Sequence, residues 1–244
     1  MIEVTHKNTA PAWESNVDEF CRICADIIRP GFDKFISMLV NHTDFLSAPA
    51  STRFHSCFKG GLLHHSLIVH RRLVNLMISE WKNNGAFDNI SQEDFRNANE
   101  SIAIVALFHD ICKANSYVMS TRNVKNTEGN WEAVPFYEYS PKLPFGHAEK
   151  SIIILEKYIT LTTEEAAAIL CHMGDYTVQK DMSRVFNEYP LAVNLHVADL
   201  QATYIDEATI PATVASNKRD EAKIDVFRTA MGKYKKTEPA NTAE

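Results

Sequence analysis

Ile104–Asn115 reads IVALFHDICKAN, an apolar run that ends in His109-Asp110, with Lys113 three residues on. An imidazole beside a carboxylate at the end of a helix that otherwise reads as buried costs several kcal/mol to desolvate unless both find partners. A divalent metal is one such partner, because imidazole and carboxylate both ligate first-row ions. Four more polar side chains interrupt apolar helical faces elsewhere: His65, His147, His172 and Asp199. A lone histidine in a helix is most often a hydrogen-bonded structural residue. Four imidazoles and two carboxylates together supply one crowded octahedral site, or two adjacent ions that share an Asp and keep open positions for water.

The elements that must position these residues are mostly helical. Val17–Ile28 and Phe32–Leu46 carry apolar residues at helical spacing on either side of Pro30-Gly31, a break. Ser47–Phe58 is a connection rich in small residues, leading to Lys59-Gly60-Gly61. From Leu62 to about Trp81 the apolar period is that of a long amphipathic helix, with His64 and His65 in its first turn. Ser91, with Asp94 three residues later, is a helix start, and that helix runs to His109. Residues 117–125 and 131–139 are rich in aromatic and β-branched residues around the turn signal Asn126–Gly129. They predict a β-hairpin, with Pro135, Pro141 and Pro144 making its return irregular.

Gly146-His147 opens a further helix, and Thr162 or Thr163 caps the one that reaches His172. Leu191, Leu195, Ala198 and Ala202 form an apolar stripe with Asp199 beside it. The expected class is all-α, a helical bundle with a small β-hairpin insertion over 117–139. Residues 1–46 would be an N-terminal arm and packing helices, 47–210 the main domain, and 211–244 a C-terminal helix and disordered tail.

The order H…HD…H…H…D resembles the HD-domain superfamily of metal-dependent phosphohydrolases in its binuclear form. Ala48-Pro49-Ala50, His55 and the run Phe58-Lys59-Gly60-Gly61-Leu62-Leu63 leading to His65 are similar to the corresponding stretch of HD domains in a group of bacterial 3′–5′ exoribonucleases. His109-Asp110-Ile111-Cys112-Lys113 is similar to the HDxxK variant, and Ala198-Asp199-Leu200-Gln201-Ala202 to the closing AD-x-x-A pattern. The resemblance covers about residues 48–207.

It implies that His65, His109, Asp110 and Asp199 hold a first metal and His147 and His172 a second, with Asp110 bridging. It also favours His65 over the adjacent His64, which competes for that place. Four imidazoles favour Fe, Mn, Co, Ni or Zn, with Mg also admissible. The implied activity is a phosphohydrolase or phosphodiesterase acting on a nucleotide or short oligonucleotide through a metal-bridging hydroxide, with Asp110 and Lys113 as the catalytic pair. Lys113 would bind phosphate, and Arg53, His55 and Lys59 are the next candidates for phosphate contact. Tyr117, Trp131, Phe136, Tyr137 and Tyr139 of the hairpin could stack a nucleobase or fix the hairpin to the body. The alternatives are a di-iron oxygenase of the myo-inositol oxygenase type, whose ligand order is the same, and a non-catalytic nucleotide-binding module.

Asp175 is a candidate to orient His172; His42, His70 and His196 read as structural. The net charge of −6 argues against an extended nucleic-acid surface. No apolar stretch approaches the roughly 20 residues that span a bilayer, and MIEVTHKNTAP lacks the apolar segment of a secretory signal. Five cysteines, mostly inside apolar helical patterns, favour buried thiols over a disulfide framework, Cys21 and Cys24 sharing one helix face. A cytoplasmic protein is expected.

Overall fold

The computed structural model describes residues 13–174, 181–208, 210, 229 and 231–232. Within them run α1 (Trp13–Cys24), α2 (Phe32–His42), α3 (Gly61–Asn83), α4 (Gln92–Phe108), the hairpin β1 (Tyr117–Lys125) and β2 (Trp131–Tyr139), α5 (His147–Leu155), α6 (Thr163–Cys171), α7 (Met182–Glu188) and α8 (Pro190–Gln201). The class is helical with one two-stranded antiparallel insertion. Among the described residues no helix is long and apolar enough to cross a membrane. The N-terminal arm, Asp175 and most of the C-terminal segment expected as helix and tail lie outside the described residues.

Several boundaries differ from the sequence expectation, each for a local reason. α1 stops at Cys24 rather than Ile28: Asp26 N and Ile27 N bond three residues back, to Ile23 O and Cys24 O at 3.2 Å, and Ile28 N is taken by Glu100 Oε1 at 2.7 Å. α2 stops at His42 rather than Leu46. There Thr43 Oγ1 donates to Leu39 O at 2.5 Å and accepts from Phe45 N at 3.2 Å, so a side chain takes over the backbone's partners. Pro135 sits inside β2, opposite Thr121, instead of disrupting the return strand. In a two-stranded ribbon each strand has an unpaired edge, where a residue without an N–H loses nothing. The short, surface-lying α7 had no anticipated counterpart, since it buries no residue and leaves no apolar period.

Other ends follow their caps. Ser91 Oγ accepts from Asp94 N at 3.0 Å at the start of α4. Thr162, not Thr163, caps α6 in a reciprocal box: Thr162 Oγ1 accepts from Glu165 N at 3.1 Å and Glu165 Oε2 from Thr162 N at 2.8 Å. Pro190 opens α8 at the position where a missing N–H costs nothing.

α3 lies centrally, packed on α1, α4 and α8, with α6 on the far side of α8. One apolar core runs from Val17 to Ala202. Its aromatic centre is Phe108, whose ring stands 4.8 Å from Phe35 and farther from Phe20 (6.0 Å), Phe32 (6.0 Å) and Phe45 (6.1 Å). Buried Glu165 is held bidentately by Arg29 at 2.8 and 2.9 Å and accepts from Ser101 Oγ at 2.6 Å, which ties the α1–α2 connection to α4 and α6. All five cysteines are buried and unpaired by disulfides.

Phe108 immediately precedes His109, so the core and the polar cluster share one backbone. Phe108→Ala should destabilise the fold by about 3–5 kcal/mol. Urea unfolding measures it, and a loss below about 1 kcal/mol would show that the aromatic centre does not anchor α4.

Candidate metal centre

His109 occupies the C-cap of α4 and His172 the C-cap of α6. Both use the same device. The last carbonyls of a helix lack intrahelical donors, and each ring turns its Nδ1 back onto the carbonyl three residues earlier: His109 onto Ala106 O at 3.0 Å, His172 onto Ile169 O at 2.6 Å. A carbonyl only accepts, so each Nδ1 carries the proton and each Nε2 keeps its lone pair. His172 is further fixed from behind, its own carbonyl accepting from His196 Nδ1 at 2.6 Å.

His65 enters from the first turn of α3 with Nδ1 3.0 Å from Glu207 Oε1. His64 beside it turns to the Phe58 ring, 5.6 Å away. The start of α3 is set by Gly60, at φ 85°, and Gly61, where a Cβ would lie 1.9 Å from Ser56 O. The loop before α3 therefore closes directly onto the helix, and Ser56 within it holds a left-handed φ of 43°. That closure lays the His55 ring 4.8 Å from the ring of His65.

The imidazoles of His65, His109, His172 and His147 follow one another at 5.4, 4.9 and 5.3 Å. Asp110 lies between them. Its Oδ2 faces His109 Nε2 at 3.5 Å and His65 Nε2 at 3.8 Å, while its Oδ1 faces His172 Nε2 at 3.7 Å and bonds to His147 Nε2. Asp199 Oδ1 approaches His65 Nε2 at 3.1 Å. The Nε2 atoms of His65, His109 and His172 are buried and make no hydrogen bond among the described residues.

A first-row ion takes N and O donors at about 2.0–2.2 Å, so donors sharing an ion stand roughly 3.0–3.5 Å apart. The spacings of 3.1–3.8 Å approach that range. Among the described residues, four groups with donor atoms within 4.8 Å could hold an ion: His55, His65 and Glu207; His65, His109 and Asp110; His109, His172 and Asp199; and Asp110, His147 and His172. The six side chains singled out in the sequence thus meet in one place.

Lys113 reaches the centre by a different path from the one expected. α4 ends at Phe108, so Lys113 does not sit a helical turn beyond His109; a 3-10 turn over Ile111–Lys113 instead swings the ammonium onto Asp110 Oδ2 at 2.5 Å. Arg53 stands exposed with its guanidinium 5.0 Å from the Phe54 ring centroid, and Lys59 is half-buried in the same loop. Of the three loop candidates His55 is the one whose ring meets a cluster imidazole. Tyr117 and Tyr137 are buried against Cys57 and fix the base of the hairpin, with Tyr117 Oη donating to Ala50 O at 3.1 Å. Trp131 and Tyr139 are exposed and Phe136 half-buried.

Two residues escaped the sequence reading. Cys112 Sγ lies 3.1 Å from His147 Nδ1, and nothing but adjacency to Asp110 signalled it. Glu207 is buried against His65. Eight residues after Asp199, it would stand roughly 80° around an α-helix from it. A π turn over Ala202–Asp206, closed by Glu207 N donating to Ala202 O at 3.0 Å, winds less per residue and removes much of that offset.

Burial would raise the Asp110 carboxyl, yet the charges of Lys113, His109 and His147 hold it well below the usual range. Burial would raise Asp199 too, but contact with His65 lowers it. Burial would likewise lower Lys113, but Asp110 keeps it raised. Burial pushes His55 and His109 down to about 3 and His70 to about 4, and lowers His64 and His147. His65 is the opposite case: burial works against its charge, but Glu207 and Asp199 lift it to about 10. His172 is raised, with burial again opposing and Asp110 prevailing.

No protein-family model, curated protein or solved structure matches the chain.

The five lowered imidazoles titrate near 6.5 when unfolded, so their contribution is present above that pH and lost as pH falls. His65 and His172, raised in the fold, contribute fully below about 6.5 and lose that contribution as pH rises. The metal-free protein should therefore be most stable near neutrality. Its urea midpoint should fall from pH 7 to pH 5, and a midpoint that is flat or rises on acidification contradicts these environments.

Proposed function

We propose that the chain is a metal-dependent phosphohydrolase or phosphodiesterase of the HD type, acting on a nucleotide or short oligonucleotide with two divalent ions. The observation that carries this reading is the division of the Asp110 carboxylate. One oxygen faces His65 and His109 and the other faces His147 and His172, with three of the four Nε2 atoms buried and lacking hydrogen bonds among the described residues. His65, His109, Asp110 and Asp199 would hold one ion, and Asp110, His147 and His172 the other. Two ions so held supply a water activated near neutral pH and neutralise phosphoryl charge.

The chain's own residues do the rest. Lys113 is anchored on Asp110 with 14% of its side chain exposed, and Asp199 and His147 expose 16% and 26%. These three mark the open side of an otherwise buried cluster, and a phosphoryl group approaching there meets the Lys113 ammonium. Its fixed positive charge stabilises the anion that develops in the transition state. His55, its Nε2 buried and without a hydrogen bond among the described residues, supplies a second polar contact from the α3 side. β1 begins four residues after Lys113, so the base of the hairpin stands beside the open side and Tyr139 there, exposed, is available to a base, whereas Trp131 pairs with Lys125 at the far end. The Lys113 charge suits a phosphoryl anion, which is the ground for placing phosphoryl chemistry ahead of oxygen activation.

Hydrolysis of a panel of nucleotides, cyclic dinucleotides and short oligonucleotides with Mn added, followed as phosphate release for monoesters and by chromatography of the cleaved products for diesters, tests the reading. His109→Ala should lose metal and turnover together. Lys113→Met should keep its metal and lose about 10²–10³ in kcat. Hydrolysis that survives in metal-free His109→Ala protein, or is undiminished in Lys113→Met, overturns the mechanism.

A further inference from the structure

His65 is buried between two carboxylates of one chain segment: Asp199 on its Nε2 side at 3.1 Å and Glu207 on its Nδ1 side at 3.0 Å. Glu207 is 1% exposed, and its Oε2 is buried with no hydrogen bond among the described residues. A buried carboxylate is retained at a cost unless something uses its charge. The backbone is built to deliver it. The π turn rotates Glu207 inward, and Asp206 beside it is gripped by Arg72 through two contacts, Nε to Oδ2 at 2.7 Å and Nη2 to Oδ1 at 2.6 Å. Arg72 stands seven residues after His65, two turns along the same face of α3. One helix face thus holds both the imidazole and the segment that carries its carboxylate.

We propose that Glu207 is a positioning residue of the metal centre, a buried carboxylate that holds the His65 proton on Nδ1 and so presents Nε2 to the ion beside Asp110 and Asp199. This rests on the metal reading above. The other imidazoles have weaker support: His109 and His172 lean on neutral carbonyls and His147 on a thiol. Glu207 therefore sets the His65 side apart as the tighter of the two sites. Removing such a carboxylate from behind a ligating histidine typically costs 10–100-fold in metal affinity.

The test is Mn(II) titration of the full chain, with free ion followed by EPR, for the wild type, Glu207→Gln and Glu207→Asp. In Glu207→Gln the tighter step should weaken by about 10–100-fold while the weaker step holds. Glu207→Asp, which keeps the charge but shortens the reach, should weaken the same step by less. A readout that does not depend on any variant folding is the ¹⁵N-histidine spectrum of the Zn-loaded wild type, where His65 should carry its proton on Nδ1 and its metal shift on Nε2. Unchanged titrations, equal weakening of both steps, or the opposite His65 tautomer overturns the proposal and leaves the metal reading standing. A wild type that binds no ion overturns both.

Discussion

Everything in this fold answers to one carboxylate in the wrong solvent. Asp110 is 2% exposed and sits where α4 ends against the core. An isolated charge there would cost far more than the stability of a domain this size permits. Lys113 offsets part of that cost, and so does the hydrogen bond from His147 Nε2 to Asp110 Oδ1, while the Nε2 atoms of His65, His109 and His172 face the carboxylate without a hydrogen bond among the described residues. Helix ends, the most easily aimed parts of a helical protein, supply the array: the starts of α3 and α5, the ends of α4 and α6, and the last turns of α8. Phe108 and its aromatic neighbours hold the backbone that delivers His109-Asp110 to this point.

The two sides of Asp110 are built differently. The His65 and His109 side is the more enclosed, with both rings fully buried and a second carboxylate, Asp199, 16% exposed at its margin. The His147 side is the more open, with 26% of that side chain exposed. An arrangement with a closed, charge-rich half and an open half suits a site that keeps one ion firmly and admits substrate beside the other.

Much of this was legible in the residues. Helical period, Ser91 and Thr162 mark helices through local forces, and the hairpin strands announce themselves by aromatic and β-branched residues around Asn126–Gly129. The six polar side chains stand out because apolar faces do not tolerate them unpaired. What was hidden depends on departures from regular winding. Lys113 arrives through a 3-10 turn and Glu207 through a π turn, and neither can be foreseen from an α-helical wheel. Pro135 was misread because its tolerance depends on which strand edge is free. Cys112 matters only through His147, 35 residues away in the chain.

The central claim is that Asp110 joins two ions, and low-temperature EPR of the chain loaded with Mn(II) addresses it directly. Two ions sharing one carboxylate are spin-coupled, so the account predicts the multiline spectrum of an exchange-coupled pair, lost in Asp110→Asn. A wild-type spectrum that shows only magnetically isolated Mn(II) at full loading, or no bound Mn(II), would contradict it.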